Sequence, residues 1–325
     1  MLRPVLTQLS PAGPRARLST LIFHRVLPEA DPLFPGEVDA ARFDALCRWV
    51  AGWFNVLPLD EAVRRLRERS LPARALCITF DDGYADNHDV ALPILLRHRL
   101  VSTFFIATGF IDGGRMWNDT VIEAVRHCRA PSLDLSGLGV DGLAVLPLTD
   151  NAARRAAIDG ILNLIKYRPI AERLQLAQRI AELAQVAPSD ALMMAADQVR
   201  ALRRAGMQIG AHTVSHPILA TLPDDAARAE IGASKRWLED LLRERVTLFA
   251  YPNGRPGRDF NERSVALARE AGFDAAVTTA KGVADAGTDL FRVPRFTPWD
   301  ATPWRFGLRM AHNLWSPPLR EAGAS

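Results

Sequence analysis

Two hydrophobic periods alternate along this chain. Short β-branched or aromatic runs begin at Ser19, Asn55, Ala75, Ser102, Met207, Thr247 and Ala275. They are separated by stretches in which apolar residues recur at helical spacing, such as Phe43, Leu46, Cys47, Val50 and Phe54. Further helices are expected from Leu59 to about Arg69, from Val90 to His98 with Pro93 in the first turn, and from Ala196 to Ala205 before Gly206. Two more run from Asp224 to Arg243 after Pro223 and from Glu262 to Ala271 before Gly272. Strands that alternate with helices in this way predict a parallel α/β architecture, and seven such units come close to a (β/α) barrel.

The alternation breaks between Ile111 and about Pro188. Asp112-Gly-Gly114 marks a loop, Trp117 to Cys128 reads as a helix, and Leu133 to Leu148 as a hairpin or loop. Two helices follow, Asn151 to Tyr167 and Ile170 to Ala184, with Leu162, Ile165, Leu174, Ile180 and Leu183 on their apolar faces. The chain therefore reads as a barrel over 19–300 carrying a helical insertion at about 112–190. Residues 1–18, rich in Pro and Arg, are expected to be extended or disordered. Residues 301–325 read as an amphipathic tail in which Trp304, Leu308, Ala311 and Trp315 share one helical face, with Arg305 and Arg309 elsewhere.

Composition narrows the partners. With 48% apolar and 24% charged residues the 325-residue chain is an ordinary globular protein. Lys plus Arg number 40 against 37 Asp plus Glu, and no dense basic cluster is interleaved with aromatics, so a nucleic-acid surface is not indicated. No apolar run approaches the roughly 18 residues of a membrane span, and Pro4, Gln8, Pro11 and Pro14 interrupt any secretory h-region. Cys47, Cys77 and Cys128 are odd in number and far apart, which suits buried thiols in a reducing compartment. Cytoplasmic residence is the resulting expectation, with the tail either docked on the barrel or in peripheral contact with the inner membrane.

The candidate chemistry sits where strands end. The run Ala75 to Phe80 stops at Asp81-Asp82-Gly83, and two adjacent carboxylates call for a cation, a set of donors or plain solvent at a helix N-cap. His24, His212 and the stretch Tyr251 to Asn253 close three other strands. A barrel gathers such ends on one rim. His212-Thr-Val-Ser-His216 spaces two imidazoles by four, so that one helical turn would bring them to the same face. Two histidines and one carboxylate form a common hydrolytic zinc set with a position left for water, and the same donors accept cobalt, nickel or iron. Asp82 supplies the carboxylate, Asp81 is left as the base, and His24 is the candidate proton donor to a leaving group. Asp86 and Asn87 follow closely enough to line the pocket or to cap a helix. His88, His98 and His127 have no such partners and read as structural or surface residues.

At these residues the chain resembles the polysaccharide deacetylases of the NodB-homology group, carbohydrate esterase family four. Thr79-Phe-Asp-Asp-Gly83 is similar to the first motif of that family, His212 to His216 to its second, and Phe249-Ala-Tyr-Pro-Asn-Gly254 to a bacterial form of its third. The resemblance implies a distorted (β/α)7 barrel, a divalent metal on Asp82, His212 and His216, Asp81 as general base, and the backbone N–H of Tyr251 at the oxyanion, with Asn253 beside it. The substrate implied is an N-acetylated sugar of a bacterial glycan, or a nucleotide- or lipid-linked precursor. Deformylation or O-deacetylation of a lipid-linked sugar is the neighbouring alternative, and a catalytically silent glycan-binding protein the alternative of another class. Two departures stand out. The C-terminal motif that carries the acid histidine is missing, while Leu21-Ile-Phe-His-Arg25 precedes the first motif, as in the permuted order of poly-N-acetylglucosamine deacetylases. The arginine that orients the base is missing from the third motif, and Arg292 or Arg295 is left to replace it. Trp117, opening the insertion, is placed either to stack on a sugar ring or to pack in a core.

Overall fold

The computed structural model describes residues 2–316. In chain order it contains α1 (Leu2–Leu9), β1 (Ser19–Phe23), α2 (Ala40–Trp53), β2 (Asn55–Val56), α3 (Leu59–Arg67), β3 (Ala75–Phe80), α4 (Leu92–Arg97) and β4 (Thr103–Ile106). Next come α5 (Trp117–His127), β5 (Ser132–Asp134), β6 (Val145–Pro147), α6 (Asn151–Ile165) and α7 (Ile170–Leu183). The remainder is α8 (Ala196–Arg204), β7 (Gln208–Ala211), α9 (Asp224–Leu242), β8 (Leu248–Ala250), α10 (Glu262–Glu270), β9 (Ala275–Val277) and α11 (Pro303–Trp315).

The chain divides into two compact units. The first comprises residues 1–29, 38–111 and 194–325 and holds one seven-stranded parallel sheet in the order β1-β3-β4-β7-β8-β9, with β2 paired to the start of β3. All seven expected strands are present. They read clearly in sequence because helices cover a parallel sheet, which leaves its strands apolar throughout: every residue of β1, β3 and β4 is buried. Phe80 stacks on Phe104 at 4.8 Å and on Phe23 at 5.3 Å, so an aromatic layer underlies the ends of β1, β3 and β4.

The sheet curls toward closure through a segment too short to register as a strand. The N–H of Val293 donates to the Ala276 carbonyl, and the N–H of Phe296 donates to that of Thr20. Single parallel bridges join Val277 to Val293 and Leu21 to Phe296. Residues 293–296 thus form a further stave between β9 and β1, and Arg295 stands on it.

The second unit comprises residues 30–37 and 112–193. Helices α5 to α7 and the antiparallel β5–β6 hairpin enclose a core that includes Val121, Val125, Ile158, Ile161 and Ile180. Ile165 and Ile180 are buried as expected, whereas Leu174 and Leu183 are exposed, since three helices around a small core cover only part of each apolar stripe. Leu33 joins this core, and Asp31 accepts both terminal nitrogens of Arg126 at 3.1 and 2.7 Å.

Residues 2–9 correct the expectation of an extended N-terminus. They form α1, with Pro4 tolerated near the helix start and Leu6 fully buried. So short a helix draws its stability from packing rather than propensity, which is why composition did not reveal it. Gly307 of α11 permits the approach, since a Cβ there would fall 2.3 Å from Leu2 Cδ1. The expected amphipathic tail is α11 through Trp315, and residues 317–325 lie outside the described residues.

Candidate active site

β3 continues its pairing with β1 to the last residue, where the Asp81 N–H donates to the Phe23 carbonyl at 3.0 Å. The chain then turns. Asp82 adopts φ 78° and Gly83 φ 94°, and the first of these is costly for a residue with a Cβ. That turn sends the two carboxylates to different partners.

Asp81 meets Arg295. Nη1 and Nη2 of the guanidinium donate to its two oxygens at 2.7 and 2.6 Å, and the side chains are 3% and 0% exposed. Arg295 is itself held by Nε to the Thr278 carbonyl at 2.8 Å and by Nη1 to Thr79 Oγ1 at 3.2 Å. Burial by itself would raise the Asp81 carboxyl; the adjacent Arg295 charge, followed by His212 and His24, outweighs it and holds the group below its ordinary value. Of the two arginines left open by sequence, Arg295 takes this place. Arg292 pairs instead with Glu262 and Asp289.

Asp82 faces the histidines. Its Oδ1 lies 3.3 Å from His212 Nε2 and 3.4 Å from His216 Nε2, and one donor atom from each of the three residues falls within 4.8 Å of the others. Oδ1 is buried with no hydrogen-bond partner among the described residues, an arrangement that suits a cation better than a proton. His212 Nδ1 contacts the Ala250 carbonyl at 2.8 Å; a carbonyl only accepts, so Nδ1 carries hydrogen and Nε2 faces Asp82, and although burial lowers the imidazole, Asp82 and Asp81 beside it raise it above its ordinary value. Burial pushes the His216 imidazole down to about 4, which leaves it unprotonated and able to ligate. Oxygen from one carboxylate and nitrogen from two imidazoles match a hydrolytic divalent site.

The two imidazoles do not meet through a helical turn, as their spacing predicts. Residues 212–216 form a loop in which Thr213 and His216 have φ 65° and 53°. Thr213 Oγ1 donates to the His212 carbonyl at 2.5 Å and accepts from the His216 N–H at 3.1 Å, bringing the rings to a T-shaped contact at 4.8 Å. From α9, Glu230 Oε2 accepts the N–H groups of Val214 and Ser215, both at 2.9 Å, and Oε1 accepts Ser215 Oγ at 2.6 Å. On the other side the Gly109 N–H donates to the Val214 carbonyl at 2.8 Å, and a Cβ at Gly109 would lie 2.7 Å from that oxygen. Glu230 escaped sequence reasoning because it acts from mid-helix, fourteen positions beyond His216, with no motif of its own.

His24 follows β1 directly and is exposed. Its charge contributes to lowering both Asp81 and Asp82, so the three share one electrostatic neighbourhood. Asn87 Nδ2 donates to the His24 carbonyl at 2.9 Å. Asp86 accepts Arg25 Nε at 2.8 Å and the Val26 N–H at 3.1 Å. Asp86 and Asn87 therefore grip the segment that carries His24, and neither caps a helix through its side chain.

Three other expectations fare differently. The Tyr251 N–H donates to the Val277 carbonyl at 3.3 Å, extending the β8–β9 ladder, so in this conformation it is not free for an oxyanion. Its ring is buried and stacks on Phe260 at 4.0 Å. Asn253, at φ 60°, shapes the turn through its carbonyl, which accepts Thr279 Oγ1 at 2.8 Å. Trp117 belongs to the second unit, where the Arg173 guanidinium sits 4.9 Å over its ring.

The family model described as polysaccharide deacetylase matches residues 68–133 and 165–276. The curated protein YxkH of Bacillus subtilis (strain 168) is 18% identical over 282 residues, covering 86% of this chain and 71% of its own length. Among solved structures, the Streptococcus pyogenes deacetylase PplD, in complex with acetate, is 20% identical and superposes with a TM-score of 0.61, covering 93% of this chain and 99% of that one. IcaB from Ammonifex degensii is 18% identical with a TM-score of 0.57, covering 94% and 99%. These structures share the fold, a (β/α) barrel of the NodB type.

Proposed function

We propose that this chain, which belongs to the polysaccharide deacetylase family and is a deacetylase hydrolase, removes acetyl from nitrogen in an N-acetylated sugar with the help of a divalent cation. The observation that carries the reading is the convergence of Asp82, His212 and His216 donor atoms within 4.8 Å beside an Asp81 locked to Arg295. A divalent cation held by these three residues would lower the pKa of water toward roughly 7 and polarise the amide carbonyl.

The remaining tasks fall to side chains of the chain itself. Arg295 keeps Asp81 ionised and fixes its plane, and each carboxylate oxygen retains a second lone-pair direction with which to accept the proton of the attacking water. His24, on the neighbouring stave, delivers a proton to the departing amine nitrogen. Asp86 and Asn87 set its backbone. Zinc is the cation we assign first, and a glycan of bacterial origin or its precursor the substrate.

The test is acetate release from N-acetylated oligosaccharides by the zinc-loaded protein, read beside elemental analysis. Asp82→Ala and His212→Ala lose bound metal and turnover together, whereas Asp81→Asn keeps metal and loses turnover. Undiminished turnover in a chelated, metal-free sample overturns the metal assignment. Metal-loaded protein that releases formate but no acetate overturns the choice of acyl group.

A further inference from the structure

Helix α11 has two working faces. Phe306, Gly307, Met310 and Leu314 are buried against the first unit, where the Phe306 ring lies 5.9 Å from both Trp49 and Trp53. The opposite side carries a stripe that nothing among the described residues covers. Trp304 is 60% exposed, Leu308 63% and Trp315 74%, and Trp299 just upstream is 50% exposed. Spaced by four, then seven, Trp304, Leu308 and Trp315 fall within roughly 40° of helix arc.

Charge decides what fits that stripe. Neither α11 nor α1, which packs on it, contains an acidic residue, while Arg3, Arg305, Arg309 and His312 lie on the pair. Arg305 and His312 are exposed and flank the stripe along one side. The guanidinium of Arg309 and the ammonium of Lys281 each stand 5.3 Å from the Trp299 ring. Arg309 also pairs with Asp300, whose carboxylate is almost wholly buried and so adds little negative field outside. A second copy of this face would bring arginine against arginine, which disfavours self-association. Indole rings at both ends of a short apolar stripe, rimmed by cations, match the boundary between headgroups and acyl chains of an anionic bilayer.

We propose that α11, with Trp299 and its basic rim, docks the protein peripherally on an anionic lipid surface, independently of how its active site works. No helix among the described residues is long and apolar enough to cross a membrane, so this is contact from one side. The experiment is co-sedimentation of the full chain with phosphatidylglycerol/phosphatidylcholine vesicles and with pure phosphatidylcholine vesicles. Binding is expected to the first, at least tenfold weaker to the second, and to fall with salt. Leu308→Asp with Trp315→Ser, and separately Arg305→Glu, should each cut anionic-vesicle binding at least tenfold while leaving acetate release from a soluble substrate and the thermal unfolding midpoint unchanged. Wild-type protein that ignores anionic vesicles, or binding that survives both variants, overturns the proposal. So does a dimer in sedimentation velocity that Leu308→Asp/Trp315→Ser dissolves, because the stripe would then be a self-association face.

Discussion

Arg295→Met tests the central ion pair, and its cost follows from burial. The guanidinium and the Asp81 carboxylate are almost wholly excluded from water and joined by bonds of 2.6 and 2.7 Å. At an effective dielectric of about 20 and a charge separation of about 4 Å, their attraction is worth roughly 4 kcal/mol. Removing one partner leaves the other as an uncompensated buried charge, and such losses run about 3–5 kcal/mol. Asp81→Asn strands Arg295 in the same way, although the Thr278 carbonyl and Thr79 Oγ1 still hold it, so about 3 kcal/mol is expected. The double variant leaves neither partner as an unpaired buried charge and should lose only about 2–4 kcal/mol, well short of the summed singles, which gives a coupling of roughly 4 kcal/mol. Denaturant unfolding of the four proteins in chelator, where metal cannot mask the difference, measures it directly. Single-variant costs that add to within about 0.5 kcal/mol in the double variant would refute the reasoning, because additivity is the behaviour of residues that do not interact.

Three further outcomes follow from the same geometry. His24→Asn should lower kcat by about 10²–10⁴ while KM and bound metal stay near wild type, measured by steady-state acetate release and elemental analysis; unchanged kcat removes His24 from proton transfer. Asn87→Ala takes away the donor to the His24 carbonyl, so a fall in kcat without loss of metal is expected, together with about 1–3 kcal/mol of stability, and rescue by Asn87→Gln would argue against a requirement for that geometry. Glu230→Ala frees two backbone N–H groups in the histidine loop and should weaken metal binding by about 10–100-fold in a competition titration with a chromogenic chelator, while metal affinity equal to wild type would show that the loop holds itself.

The parts of this molecule that were legible in sequence are those whose signal is local. Ile78, Thr79 and Phe80 announce a buried strand because every neighbour in the run is apolar or β-branched, and the carboxylates after them announce its end. The stave at 293–296 carries no comparable signal, since it is short, contains Pro294 and is held by single bridges to Val277 and Leu21. Nor does alternation separate Arg295 from Arg292, because Arg292 closes the short 3-10 turn Leu290–Arg292 and residues 293–296 are buried on both parities. The loop at 212–216 offered no clue either. A spacing of four reads as a helical turn unless a glycine warns of positive φ, and here Thr213 and His216 adopt that conformation without one.

The order of motifs along the chain matters less than the order of staves around the sheet. Residues 293–296 pair with β1, β1 with β3, β3 with β4, and β4 with β7. Arg295, His24 and Asp81-Asp82 therefore stand on three consecutive staves, although 271 positions of sequence separate His24 from Arg295. Asp81 is tied to both neighbours at once, through its N–H to the Phe23 carbonyl and through its oxygens to Arg295. The closing stave pairs directly with β1, so His24 and Arg295, far apart in sequence, come to neighbouring positions on one rim. For the proposed reaction the histidine has to follow the stave between the arginine and the aspartates, and Phe23-His24 stands there by pairing rather than by position in the sequence.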